Sequence, residues 1–350
     1  MDTPTPPSLP NEPLSEELRP ALPIEREAPP EARPLLLLPA PRSLQYLSGA
    51  AALILLFCTS ASLTVAYLSG KQSASAASQA AAAGQSTPTL SILAESAYVL
   101  DLTNNRILYE KNPDVQLPLA SLVKVPLVLA VSEVIGPEDE ILIPPHTTPD
   151  GAGIRIPPGL RFSARDLMSF TLVASSNEGA DLLAASANDA IRARYHEAQG
   201  DSSVVWRMSA IVKGLGLDHL LFLNTNGLDL SETQAGAYGS AHDVAHLFAY
   251  AASSSPALFE HTARTSITIK ARSGETVTGV NTDDALPAIP GIIMGKTGYT
   301  ALAGGNLAVV FEVGPSHPVV AVVLHSTQDG RFADMKTLIT ATQAMIAKGR

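Results

Sequence analysis

Three short strings carry side chains suited to breaking a peptide bond: Ser121-Leu-Val-Lys124, Ser175-Ser-Asn177 and Lys296-Thr-Gly298. A serine hydroxyl is a poor nucleophile until a base takes its proton. A lysine three residues along a helix lies on the same face as the serine and is placed to be that base. It must then be neutral, which asks for a pKa near 7 in place of about 10.4, roughly 4–5 kcal/mol of environmental bias. Burial and a second nearby cation supply such a bias, and Lys296 is the candidate cation. With Ser121 at a helix start, the positive end of the helix dipole also lies beside any oxyanion that forms there. Ser175 and Asn177 fit a turn between two helices, where short polar residues serve as caps as readily as catalytic groups. Ser175, not Ser176, is the serine of an S-x-N pattern, because it stands two before Asn177. Lys296 and Thr297 offer a charge and a hydroxyl to an anionic substrate end, and Gly298 leaves a strand edge open to a second backbone. S-x-x-K and S-x-N alone are common words, but a fixed triplet such as K-T-G arises by chance on the order of 0.1 times in a chain of this length. The ordered set is the signal.

The elements that must hold these residues are legible in outline. Ala97–Leu102 and Arg106–Lys111 are β-rich runs joined by Thr103-Asn-Asn105, a hairpin signal. An apolar stretch from Leu119 to Val134 reads as a helix with Ser121 near its start. Ser163 with Asp166 opens a helix through Val173 in the manner of a capping box. Further helices are expected from Glu178 to about His196 and after Ser240. In the last third, Ile292–Met294 leads into Lys296, and Leu307–Val313 and Val319–His325 read as strands. Arg331–Lys348 reads as a helix, with Met335, Leu338, Ile339, Met345 and Ile346 on one stripe and Thr342 as its polar member. Strands from both ends with helices between them predict one antiparallel sheet, a terminal helix on its face and a helical lobe in the middle.

Composition divides the rest. Residues 1–42 hold 12 prolines and a net charge of −3, a segment too polar to offset its ordering entropy, and are expected to be a disordered cytoplasmic arm. Residues 43–70 are 28 uncharged residues, enough for a bilayer crossing, and are expected to be a transmembrane anchor. A cleaved signal peptide is the rival, with Ala74-Ser-Ala76 as its small-residue site; the long, weakly basic arm ahead of it favours the anchor. Residues 71–94, rich in Ala and Ser, read as a linker, leaving 95–350 as the catalytic domain. Arg33 and Arg42 before the span against Lys71 after it set a weak bias toward a cytoplasmic N-terminus, so the domain is expected outside the cell membrane. The single cysteine, Cys58, falls inside the span, which leaves the domain no disulfide or thiol chemistry. The formal charge of −10 argues against nucleic acid as a partner.

The three strings in this order are the motif set of penicillin-binding proteins and class A β-lactamases. With VLDLTNNRILYEKN leading to LPLASLVK, PPGLRFSARDLM and FLNTNGLD, residues 95–348 resemble a D-alanyl-D-alanine carboxypeptidase, a low-molecular-mass penicillin-binding protein. The resemblance implies the penicillin-recognising serine hydrolase fold, an α/β structure with a five-stranded antiparallel sheet flanked by helices and an α-helical lobe. It implies Ser121 as nucleophile and Lys124 as base, with Ser175 relaying a proton to the leaving amine. Asn177 would hold the substrate amide and the Lys124 side chain. Lys296, Thr297 and Gly298 would bind the substrate end, and the backbone N–H groups of Ser121 and Tyr299 would form the oxyanion hole. Peptidoglycan stem peptides ending in D-Ala-D-Ala are then the substrate and β-lactams the inhibitors, with no cofactor and no metal.

Three alternatives stay open at this point. A β-lactamase shares the strings but, in class A, needs a downstream E-x-x-L-N glutamate; residues 178–295 contain none, and Leu223-Asn224 lacks the Glu. An endopeptidase that cuts cross-links needs the same residues in a wider cleft. A silent wall-binding module fits less well with Ser121, Lys124 and Lys296 all intact. His242-Asp-Val-Ala-His246 resembles the zinc pattern H-E-x-x-H, but Asp replaces Glu and no third ligand is evident, so a solvated helix is expected there.

Overall fold

Two apolar runs, LAVVFEV and VVAVVLH, decide the architecture, because strands hydrophobic at nearly every position must be covered on both faces. They form β4 (Gly304–Glu312) and β5 (Pro318–Ser326), following β1 (Ser96–Asp101), β2 (Arg106–Lys111) and β3 (Ile292–Thr300) along the chain. The computed structural model describes residues 90–145, 156–198 and 202–349. The expected arm and span, 1–42 and 43–70, lie outside the described residues, as do residues 71–89 of the linker. Among the described residues no helix is long and apolar enough to cross a membrane.

The sheet runs β3-β4-β5-β1-β2, antiparallel throughout. Ser96 pairs with Leu324 and Asp101 with Val319, so strands from both ends of the domain meet at its centre as the sequence predicts. Alternation along the strands separates two cores. Tyr98, Leu100, Val310, Val320 and Val322 face the helical lobe. Val99, Val309, Phe311, Val319 and Ala321 face the terminal helix, where Met335, Leu338 and Ile339 meet them. Thr342 is fully buried in that stripe. Residues 90–94 lie along the same side: the Asp334 carboxylate accepts from the backbone N–H of Leu93 and of Ala94 at 2.8 Å each, and from Ser326 Oγ at 2.7 Å.

The lobe comprises α1 (Lys124–Ser132), α2 (Ala164–Val173), α3 (Asn177–Arg194), α4 (Ser203–Gly214) and α5 (Ala241–Ser254); α6 (Gly330–Ala347) is the terminal helix. Every residue of α1 from Lys124 to Val131 is buried, which fits a helix apolar on all sides. Its C-terminal end is held by Glu133, which accepts from Arg207 of α4 through Nε at 2.6 Å and Nη2 at 2.7 Å. Side-chain caps fix the starts of α2, α3, α4 and α5: Ser163 to Asp166 N, Ser176 to Gly179 N, Ser202 to Val205 N and Ser240 to Asp243 N. Such a cap is commonly worth about 1 kcal/mol.

One expectation changes where it matters. Leu119–Val134 is not a single helix: Ala120–Val123 form a 3₁₀ turn and α1 begins only at Lys124. Ala120 has φ +49°, a left-handed conformation that no right-handed helix admits. In the tighter 3₁₀ turn, residues three apart eclipse one another, which brings Ser121 and Lys124 together more closely than an α-helix does. The sequence reading misses α4, the hairpin of Ser266–Lys270 with Thr276–Val280, and several shorter elements such as the strand pair of Glu140–Leu142 with Arg161–Ser163.

Candidate active site

The Lys124 side chain is fully buried. Its Nζ donates to Ser121 Oγ at 2.8 Å, to Asn177 Oδ1 at 2.7 Å and to the backbone carbonyl of Asn226 at 2.5 Å. A neutral amine has two hydrogens and one lone pair. Were Lys124 neutral, its two hydrogens would go to the Asn177 and Asn226 carbonyl oxygens and its lone pair would face the Ser121 hydroxyl. The first turn of α3 supplies Asn177, and the loop between α4 and α5 supplies Asn226. The sequence anticipates the first and misses the second, because a backbone carbonyl leaves no residue-type signature.

That loop is pressed against the turn that carries Ser121. Gly227 has φ +83°, and a Cβ placed on it would fall inside the van der Waals shell of the Ala120 carbonyl oxygen. Around it, Asn224 Oδ1 accepts from Gly227 N at 2.8 Å, and Asp181 accepts from Asn226 Nδ2 at 3.1 Å. Gly298 makes a second close approach. A Cβ there would come 2.6 Å from the Leu119 carbonyl oxygen and 3.3 Å from Ser121 N. The backbone that Gly298 admits in this structure is the chain's own, at the turn that carries Ser121.

Ser175 stands between α2 and α3 with φ +55°, a strained geometry for a serine. Its Oγ accepts from Lys296 Nζ at 2.8 Å, and Lys296 also donates to the Thr297 carbonyl at 3.0 Å. Ser176 turns the other way, into the cap of α3. Lys296 is 2% exposed. Burial pushes its pKa well below the usual lysine range; the charges of Lys124 and Arg331 act in the same direction, and Asp283 opposes them. The sequence reading has Lys296 depress Lys124; what is seen is the converse contribution, the charge of Lys124 lowering Lys296.

Thr297 is 3% exposed, and its hydroxyl meets that of Thr282 at 2.5 Å. Tyr299, next along β3, is half exposed. The end of the strand is pinned by Asp229, which accepts from Thr300 Oγ1 at 2.9 Å and from Leu302 N at 3.2 Å. Beneath it, Arg331 Nη1 donates to the Gly298 carbonyl at 2.9 Å. The sequence reading assigns none of Asn226, Thr282, Asp229 or Arg331 to the site. The string FLNTNGLD, quoted for its resemblance, contains two of them.

His242 and His246 lie on α5 with ring centroids 4.3 Å apart. Their Nδ1 atoms are engaged by Asp243 Oδ1 at 2.8 Å and by the His242 carbonyl at 2.9 Å. Among the described residues no group of three His, Cys, Asp or Glu side chains is arranged to hold a metal.

A serine and a lysine in contact at the start of a buried helix, faced by a second serine–lysine contact across a sheet edge, define a serine hydrolase site. The class narrows with the comparisons. Residues 80–328 match the D-alanyl-D-alanine carboxypeptidase family of S11 peptidases. The chain is 28% identical over 238 residues to the D-alanyl-D-alanine carboxypeptidase DacB2 of Mycobacterium tuberculosis, covering 68% of this chain and 77% of that one. It is 27% identical over 270 residues to a D-alanyl-D-alanine endopeptidase of Escherichia coli, covering 75% and 81%. The ampicillin-bound penicillin-binding protein D2 of Listeria monocytogenes superposes with a TM-score of 0.60 at 25% identity, over 73% of this chain and 98% of that one. The fold is that of the penicillin-binding serine peptidases. The chain belongs to the D-alanyl-D-alanine carboxypeptidase family and is a serine peptidase.

Proposed function

We propose that the chain removes the terminal D-alanine from peptidoglycan stem peptides through an acyl-enzyme on Ser121, and that β-lactams acylate the same oxygen. The observation that carries this reading is the pairing of Lys124 Nζ with Ser121 Oγ beside the pairing of Lys296 Nζ with Ser175 Oγ. Lys124 takes the Ser121 proton as Oγ attacks the carbonyl carbon of the penultimate D-alanine. The oxyanion forms between the backbone N–H groups of Ser121 and Tyr299, each such donor being worth about 3–4 kcal/mol in the transition state. Ser175 passes a proton to the departing amine, the C–N bond breaks, and free D-alanine leaves an ester on Ser121. Water then attacks the ester and restores the serine, releasing the shortened peptide.

In this reading Lys296 and Thr297 grip the terminal carboxylate, which separates a carboxypeptidase from an endopeptidase acting inside a chain. A peptide ending in D-Ala-D-Ala is expected to lose most of its reactivity when its terminal carboxylate is amidated, and Lys296→Ala to shrink that difference. Steady-state cleavage of the two peptides by both enzymes checks it. Equal cleavage of acid and amide by the unaltered enzyme would move the assignment to an endopeptidase, the activity named for the Escherichia coli relative.

The reading extends to location. The 28 uncharged residues at 43–70 support a membrane anchor with the catalytic domain outside. Full-length protein is expected to sediment with membranes, and a chain starting near Ser91 to stay in the supernatant with its activity. Soluble full-length protein counts against the anchor.

A further inference from the structure

Three chain segments meet around Ser121, and glycines let two of the three contacts form. The loop at Gly227 lies against the Ala120 carbonyl, and β3 at Gly298 lies against the Leu119 carbonyl and Ala120. Asp229 joins the remaining pair, loop to strand. It stands between the exposed Leu228 and Leu230, yet its carboxylate turns in to the end of β3. Oδ1 accepts from Thr300 Oγ1 at 2.9 Å and Oδ2 from Leu302 N at 3.2 Å. Thr300 Oγ1 in turn accepts from Ala303 N at 3.1 Å, which ties the turn after β3 into the same set of bonds. A carboxylate that engages two donors at once fixes their geometry as well as their distance. This end of β3 needs such a hold: it is an edge strand, and the ladder partners of Tyr299 and Thr300 are Gly305 and Gly304, which bring no side chains to grip it.

Both ends of this link are neighbours of the chemistry. Three residues before Asp229, the Asn226 carbonyl accepts from Lys124 Nζ; one residue before Thr300 stands Tyr299, whose N–H is the proposed oxyanion donor. The stretch from Asn226 to Asp229 has little slack. Asn226 Oδ1 accepts from Leu228 N at 2.9 Å, and Asn224 braces the loop twice, donating to the Leu228 carbonyl and accepting from Gly227 N at 2.8 Å each. A displacement at one end is therefore carried to the other.

We infer that Asp229 is a positioning residue: by holding Thr300 and Leu302 to the loop that carries Asn226, it locks the Tyr299 N–H at its working distance from Ser121 and Lys124. The inference rests on the proposed oxyanion role of Tyr299 and adds what keeps that donor in place. Such a donor works only where the oxyanion forms, and an error of about 1 Å in a catalytic geometry costs on the order of 10²-fold. Asp229 bonds the end of β3 and not the nucleophile or its base, so its loss slows acylation without weakening the initial encounter. Asp229→Ala is expected to lower the rate constant for acylation by penicillin about tenfold or more, with the initial dissociation constant within about twofold of the unaltered enzyme. Asp229→Asn is expected to recover most of the rate, because its amide donates to Thr300 Oγ1 while its oxygen still accepts from Leu302 N. Thr300→Val cuts the same link, so its loss and that of Asp229→Ala combine to less than their product.

The test pairs pre-steady-state acylation by penicillin with infrared difference spectra of the resulting ester on Ser121, and with thermal melting of each variant. The ester carbonyl, held by two N–H groups in the unaltered enzyme, is expected to move to higher wavenumber in Asp229→Ala and to return in Asp229→Asn. A role in stability alone does not move that band. A lower melting temperature with unchanged acylation and an unmoved band overturns the inference, as does a loss confined to the dissociation constant, or an Asn variant no faster than the Ala variant. If Asp229→Ala does not fold, Thr300→Val decides by the same two readouts. An unaltered enzyme whose ester carbonyl carries no hydrogen-bond shift removes the oxyanion role of Tyr299 and takes this inference with it. A shifted band that no variant moves overturns the inference only.

Discussion

Ser121→Ala is expected to abolish the covalent penicillin adduct and to lower D-Ala-D-Ala cleavage by at least about 10⁴-fold, with little change in thermal stability. The chemistry needs an oxygen at this position to carry the acyl group, and alanine has none. Lys124 remains held by Asn177 and Asn226 in the variant, so the buried amine is not stranded. Intact-protein mass spectrometry followed by peptide mapping reads the outcome. In the unaltered enzyme the adduct is expected to persist, because residues 178–295 hold no E-x-x-L-N glutamate to speed deacylation. An undiminished adduct in Ser121→Ala, or one mapping to another residue, removes Ser121 from the mechanism. Rapid, sustained hydrolysis of a chromogenic cephalosporin by the unaltered enzyme points to a β-lactamase instead.

Gly227→Ala is expected to cost at least about 10²-fold in the rate of acylation while changing initial binding far less. The added carbon cannot coexist with the Ala120 carbonyl, and a left-handed φ of +83° adds about 1–2 kcal/mol of strain for any residue with a Cβ. Either the loop retreats, taking the Asn226 carbonyl away from Lys124, or Ala120 shifts and re-aims Ser121. Gly216→Ala is the control: it too has a left-handed φ, +73°, but nothing lies near its missing Cβ. It is expected to lose stability alone. Pre-steady-state acylation rates for the two variants separate the effects, and an unchanged rate in Gly227→Ala would show that the loop does not position the catalytic pair.

The parts of this site that sequence reveals are those written in side-chain type. Ser121, Lys124, Ser175, Asn177, Lys296 and Thr297 announce themselves by spacing, and the apolar runs of β4 and β5 announce the sheet. What stays hidden is carried by backbone or by burial. Asn226 contributes a carbonyl, which any residue has. The left-handed turn at Ala120 depends on Gly227 more than a hundred residues away, so no local pattern signals it and the stretch reads as continuous helix. Asp283 looks like a loop acid until the fold buries it at 5% exposure. The helix α4 is missed because Ser203–Gly214 mixes β-branched and polar residues, and its identity is decided by packing on the lobe.

The pairing of Ser96 with Leu324 has a consequence for how this enzyme comes into being. A ribosome adding roughly 5–20 residues per second leaves β1 without β5 for about ten seconds or more. During that interval an apolar strand waits with one edge open, which calls for a holding partner or delayed folding. Ser121 and Lys124 emerge early, whereas Lys296 and Thr297 emerge late, on a strand that packs against the Ser121 turn. A nascent or prematurely released chain therefore has the serine but no second wall to its cleft. Hydrolytic competence arrives all at once, with the last strands, so a half-made molecule has no means of cutting the wrong bond.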